Sequence, residues 1–170
     1  MGAPREIRLA EPSEWREARD LRLEALRTDP LAFGSTLERE EAFGPEQWQQ
    51  RVARNPEAPG CGQWIAVERP SRWIGTVSTA LFQGELHVFA MWVRPAERGH
   101  GIGGQLLDAA LTEIERARPG ASVVLDVNPR QVAARTLYES RGFRPTGRTE
   151  PLGHTAGESV VEMRRLLGRP

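Results

Sequence analysis

The sequence predicts an α/β fold of the mixed-sheet (α+β) kind, with about six to seven strands flanked by about four helices in a single domain over residues 1–170. Three observations predict it. Strand-like runs at 63–68, 73–81 and 86–93 are separated by Pro70-Ser71 and Gln83-Gly84, as in an antiparallel meander. The last of these runs passes through a glycine-rich loop straight into an amphipathic helix. A second strand, helix and strand then follow.

The elements read in order as follows. Residues 7–10 form a short first strand. Pro12, Ser13, Glu14 and Trp15 open a helix that carries Trp15, Ala18, Leu21, Leu23 and Leu26 at helical spacing, and Thr28-Asp29-Pro30 stops it. Residues 31–43 hold a loop at Phe33-Gly34-Ser35-Thr36 and a helix start at 37–42, and mobility is expected there. Residues 45–54 form another short helix, closed by Asn55-Pro56. After the three-strand meander and the glycine loop, Ile102, Leu106, Leu107, Ala110, Leu111 and Ile114 make one apolar helical face that ends at Pro119-Gly120. Residues 122–127 are a buried strand. Asn128 is the expected N-cap of the next helix, with Pro129 at its first position and Gly142 at its end. Phe143 begins another strand, and 159–166 is the last.

The loop Arg98, Gly99, His100, Gly101, Ile102, Gly103, Gly104 is the feature that points to chemistry. A glycine loop at a helix N-terminus leaves backbone N–H groups free where the macrodipole favours negative charge, which makes a phosphate cradle. It lacks the Lys-Ser or Lys-Thr of a Walker-type site. With the dinucleotide-binding reading also set aside, the phosphates are assigned to another cofactor. Twenty-three basic residues balance twenty-three acidic ones, so no global field holds nucleic acid or an anionic membrane. No apolar run approaches the ~20 residues of a spanning helix. The single Cys61 and the absence of a charged-then-apolar N-terminal segment point to a reducing cytoplasm. No cluster has metal-ligand spacing, and Trp73 and Trp92 read as sheet or core residues rather than a base-stacking platform.

Two motifs carry a family resemblance. Val93-Arg94-Pro95 followed by Arg98-x-x-Gly101-x-Gly103 matches a pyrophosphate-binding pattern, and Leu137-Tyr138-Glu139-Ser140-Arg141-Gly142-Phe143 matches a second signature at a helix end. With this order of elements, the chain resembles the GNAT superfamily of N-acetyltransferases, most strongly over residues 62–144. The resemblance implies a central pair of parallel strands that splay at a bulge, with acetyl-CoA between them. Met91, Trp92 and Val93 would bond its pantetheine arm through the main chain, a backbone N–H near Met91 would take the acetyl oxygen, and residues 98–104 would hold the pyrophosphate. Where the family commonly has an asparagine contacting the cofactor, this chain has Gln131; Asn128 is a second candidate.

The resemblance also implies the chemistry: direct transfer of the acetyl group to a primary amine of a small molecule, peptide or protein, in a ternary complex. Tyr138, the only tyrosine, occupies the place of the general acid for the departing sulfur. Glu85 and His87 stand where two branches of the family carry their base, and strand alternation puts both on one face. Either accepts the amine proton, directly or through water. His154 is an outside candidate, and a covalent role for Cys61 is disfavoured. Phe33, Phe43 and Trp48 with Glu38, Glu40 and Glu41 offer an acceptor wall; their other reading is core and solvated helix face. The competing class is an acyl-CoA-binding sensor or scaffold without turnover. Other short acyl donors stay open, and pairing through terminal strands, common in the family, would give a homodimer.

Overall fold

The structure, a computed structural model, describes residues 5–53, 57–68 and 71–168. Asn55-Pro56 and Pro70, expected as a helix stop and part of a turn, lie outside the described residues. Seven strands form one sheet: β1 (Arg5–Leu9), β2 (Gly62–Glu68), β3 (Arg72–Phe82), β4 (Glu85–Val93), β5 (Ser122–Val127), β6 (Arg144–Pro151) and β7 (Ser159–Leu166). Their order is β1-β2-β3-β4-β5-β7-β6. Every neighbouring pair is antiparallel except β4 and β5. Among the described residues five α-helices cover it: α1 (Trp15–Thr28), α2 (Leu37–Glu41), α3 (Pro45–Val52), α4 (Ile102–Ala117) and α5 (Val132–Ser140).

The expected meander is the β1–β4 half of the sheet. Its β3–β4 hairpin turns on Gln83 and Gly84, which both take positive φ (49° and 83°), the conformation whose twist matches paired strands. One face of the sheet meets the N-terminal helices: Trp15, Leu21 and Leu26 of α1 and Trp48 of α3 pack on Ile65, Val67 and Trp73. The other face meets α4, where Leu106, Leu107 and Ile114 pack on Val123, Leu125, Phe143 and Met163. Burying such an apolar stripe on each side stabilises the layers by roughly 25 cal/mol per Å² removed from water.

A bulge in β4 decides which side chains go where. Between Thr76 and Ser78 the β3–β4 register shifts, so Val77 faces both Ala90 and Met91, and Ala90 takes φ 52°. Val88 belongs to the α4 side of the core, and Met91 and Val93 pack there too, whereas Trp92 joins the α1 side. Without the extra residue, strict alternation would put Met91 and Val93 on the opposite face from Val88.

Two expectations are corrected. Asn128 does not cap α5 and Pro129 is not its first residue. The Asn128 Oδ1 accepts from the Arg130 N–H at 2.9 Å and the Gln131 N–H donates to the Asn128 carbonyl at 2.9 Å, so residues 128–131 close as a turn and α5 starts at Val132. Residues 31–43 are pinned rather than loose. Phe33 is buried, and the Glu40 carboxylate, fully buried, takes the Arg22 fork at 2.8 and 3.0 Å and Arg51 Nη1 at 2.8 Å. Glu40 is therefore neither on a solvated face nor free to greet a substrate.

Candidate active site

The sheet opens where β4 and β5 meet. They pair only at Leu86↔Val123 and His87↔Val124, then part, leaving the main chain of β4 beyond His87 without a β5 partner. The gap is a cleft of about 620 Å³, lined by Met91, Trp92 and Val93 on one side, by Val127, Gln131 and Tyr138 on the other, and by the glycine loop at one end. Backbone groups on such an open strand need partners, and an extended polar chain laid between the strands supplies them.

Of the residues expected at the cofactor, Met91, Trp92, Val93, Arg98, Gly99, Gly101, Ile102, Gly103, Gly104, Gln131 and Tyr138 line this cleft; His100 and Asn128 do not. His100 is exposed, with Nδ1 against the Glu97 carbonyl at 3.2 Å. Asn128 is buried, and its Nδ2 donates to Glu158 Oε2 at 2.9 Å, which ties the β5 end to the β6–β7 loop.

The glycine loop runs into α4. Its first intrahelical bond runs from Gln105 N–H to the Gly101 carbonyl at 3.0 Å, so the N–H groups of residues 102–104 have no helical acceptor. Gly101 needs its glycine, with φ 77°, and a Cβ built on it would project into open space. At Gly103 a Cβ would lie 3.0 Å from Met91 Cε, so a larger residue there would ask the end of that flexible side chain to give way. Gly99, Gly101 and Gly104 do stand at Gly-x-Gly-x-x-Gly spacing, so spacing does not exclude a dinucleotide site. Topology does: β4 and β5 form the sheet's single parallel pair, flanked by antiparallel strands, and they part at the loop instead of continuing as a doubly wound sheet.

Tyr138 reaches the cleft from the last turns of α5. Its ring is buried against Phe143, 6.1 Å between centroids, and its hydroxyl donates to Met91 Sδ at 3.6 Å. Burial pushes the phenol up to about 12. It therefore keeps its proton throughout the neutral range, as a donor must.

Glu85 and His87 line a smaller cavity of about 300 Å³ on the side of the sheet that Phe82 also faces. The alternation argument holds, and His87 Nε2 lies 3.8 Å from Glu85 Oε2. The Glu85 Oε1, however, is held by Arg164 Nη2 at 2.6 Å. The rest of the wall was not legible in the motifs: Asp126 of β5, Arg148 and Glu150 of β6, and Glu162 of β7. Arg148 pairs with Glu150 at 3.1 Å and Glu162 at 3.2 Å. Asp126 lines both cavities and so marks their junction. Its surface is open in the cleft, yet crowding by protein atoms, then the charges of Glu150 and Glu162, hold its carboxyl above the usual range. A charged residue inside the apolar run of 122–127 was the available signal for it.

The acceptor wall suggested by the N-terminal helices is core instead: Phe33 and Trp48 are buried, and Phe43 packs on Trp48 with the rings tilted, 5.7 Å between centroids. His154 Nε2 meets the Pro30 carbonyl at 3.4 Å, so the β6–β7 loop touches the segment after α1. Cys61 is half-buried, and burial pushes its thiol up, which leaves it a poor nucleophile. Among the described residues no three His, Cys, Asp or Glu side chains gather as a metal site, and no helix is long and apolar enough to cross a membrane.

A splayed parallel strand pair with a glycine-rich helix N-terminus at one end and a buried tyrosine across from it defines the class. Residues 15–143 match the profile of the Acetyltransferase (GNAT) family, and the chain belongs to that family. It is similar to the peptidyl-lysine N-acetyltransferase YjaB of Salmonella typhimurium, 37% identical over 95 residues that cover 56% of this chain and 57% of that protein. The chain thus spans little more than half the length of that relative. It is also similar to the N-alpha-acetyltransferase RimI of Mycobacterium tuberculosis, 27% identical over 159 residues, 84% of this chain and 97% of the other. In fold it is like the yncA protein of Salmonella typhimurium, solved with its cofactor acetyl-CoA: TM-score 0.72, 20% identity, 99% of this chain and 96% of that one.

Proposed function

We propose that the protein is an N-acetyltransferase that uses acetyl-CoA to acetylate a cationic primary amine directly, in a ternary complex. The observation that carries this reading is the junction of the two cavities at Asp126, which sets an acidic, His-bearing chamber beside a cleft that ends in a phosphate cradle. The residues fit the cofactor: open space above Gly99 and Gly101, free N–H groups on the first turn of α4, and an unpaired strand edge on β4. When bound, acetyl-CoA would supply the activated thioester carbonyl.

The chain's own groups have separate tasks. Backbone N–H groups of residues 102–104 hold phosphate, and the main chain of Met91 and Val93 orients the extended arm. An amine arrives protonated and must lose that proton before it is a nucleophile. His87 takes it, through water, while Glu85, held by Arg164, steadies the ring and Asp126 draws the cation to the junction. Tyr138 would give its hydroxyl proton to the departing sulfur; in the free protein that hydroxyl already donates to a sulfur, Met91 Sδ. A lysine side chain, a chain N-terminus and a small diamine all present the required cation.

Calorimetric titration with acetyl-CoA, followed by an amine screen read as thiol release, tests this. Micromolar binding is expected, and Gly101→Glu, which forces a side chain into a left-handed position and a carboxylate into the cradle, weakens it at least about 100-fold. Absence of binding to the folded wild-type chain would overturn the proposal. In the acetylation assay His87→Ala lowers kcat by about 100-fold, and Glu85→Gln by under about 3-fold, because Glu85 is occupied by Arg164. The reverse ranking would make Glu85 the base.

A further inference from the structure

Asp29, in sequence no more than part of a helix stop, sits at a crossing of three parts of the site. It caps the C-terminal end of α1, and its Oδ2 accepts from two donors: Trp92 Nε1 at 2.6 Å and Arg98 Nη2 at 2.5 Å. Arg98 Nε donates to the Val93 carbonyl at 2.9 Å, and its guanidinium lies over the Trp92 ring, 5.8 Å from the centroid. Trp92 is buried, so its indole N–H requires an acceptor, and Asp29 is that acceptor. Pro30, the next residue, receives His154 from the β6–β7 loop.

From this arrangement we infer that Asp29 is a positioning residue: it holds Arg98 as a strut that fixes the entry to the glycine loop, leaving phosphate to the backbone N–H groups. The inference rests on the acetyl-CoA reading. Two of the three guanidinium nitrogens of Arg98 are engaged by protein acceptors, and its bond to Val93 closes the turn between β4 and the loop. A bare carboxylate lining a diphosphate site would repel the ligand; paired with Arg98 it contributes no net charge. The planar fork of arginine suits this role, since one carboxylate oxygen and one carbonyl together fix its plane. The same contact ties the loop to the segment after α1.

A double-mutant cycle on acetyl-CoA affinity tests the strut. Asp29→Ala and Arg98→Ala each weaken binding about ten-fold, and the double variant is no weaker than either alone, because each change breaks the same support. Asp29→Asn, which keeps an acceptor for Trp92, loses about three-fold and serves if the alanine variant folds poorly. The salt dependence of binding stays as in the wild type for Arg98→Ala, which a direct phosphate contact would not allow. Tighter binding by Asp29→Ala, with weaker and less salt-dependent binding by Arg98→Ala, would overturn the strut and make Arg98 a phosphate ligand with Asp29 its competitor. Additive losses would overturn it as well. If the wild type binds no acetyl-CoA, the cofactor reading itself has failed, a result distinct from a wild type that binds and a cycle that is additive.

Discussion

Tyr138→Phe lowers kcat by about 100-fold or more and leaves the dissociation constant for acetyl-CoA within about 3-fold of the wild type. The change removes one oxygen from a buried ring whose packing on Phe143 is kept. The lost contact in the free protein is a long hydrogen bond to sulfur, 3.6 Å to Met91 Sδ, so stability and cofactor affinity hardly move. What is lost is a proton at the place where a thiolate would leave, about 2.7 kcal/mol of barrier for a 100-fold effect. With the phenol pushed up to about 12, the wild-type rate shows no loss from deprotonation of Tyr138 below about pH 10. Paired titrations and thiol-release assays on both forms measure this. Equal turnover by wild type and Tyr138→Phe would remove the acid role, and binding without turnover in either form would favour an acyl-CoA sensor.

The second large effect is on stability and lies away from the cleft. Glu40→Ala destabilises the fold by about 3–5 kcal/mol, because it strips a fully buried carboxylate from two arginines and leaves Arg22, whose side chain is 16% exposed, without its partner. Burial alone would push the Glu40 carboxyl up; the Arg22 hydrogen bond and the charges of Arg22 and Arg51 outweigh it and hold the carboxyl below the usual range. The sign follows from linkage. A carboxyl depressed on folding contributes stability that is fully present above its unfolded range, near pH 4, and is lost as the pH falls through its folded value. Glu40→Gln therefore lowers stability at neutral pH and flattens the acid limb of the curve, and Glu40→Ala lowers it further by emptying the site. Urea unfolding of the three forms from pH 7 to pH 3 checks both statements, and parallel curves would refute the ion cluster as a source of stability.

These two residues mark the boundary of what could be read without coordinates. Tyr138 stands in a contiguous motif, and helix α5 carries it wherever the helix goes, so its candidacy followed from local sequence. Glu40 reads as one of several glutamates on a short polar helix. Only packing brings Arg22 and Arg51, from α1 and α3, onto it. Asp126 and Asp29 were hidden for the same reason. Their importance lies in partners and cavities drawn from distant strands, such as Glu150, Glu162 and Arg98.

The sequence by itself determined the seven strands and the larger helices, the hairpin at Gln83-Gly84, the glycine loop at the start of α4 and the tyrosine near the end of α5, since each depends on periodicity or on neighbours within a few residues. It also sufficed for the family, through motifs that lie in order along the chain. Tertiary structure alone decided where α5 begins, because Asn128 turns to Arg130 and Glu158 instead of capping a helix. It decided that Glu85 is held by Arg164, that Arg98 is drawn to Asp29, and that a one-residue bulge at Ala90 brings Met91 and Val93 to the same face of the sheet as Val88. Each of these is a choice between competing partners, and a side chain meets its long-range partners only when the sheet has closed.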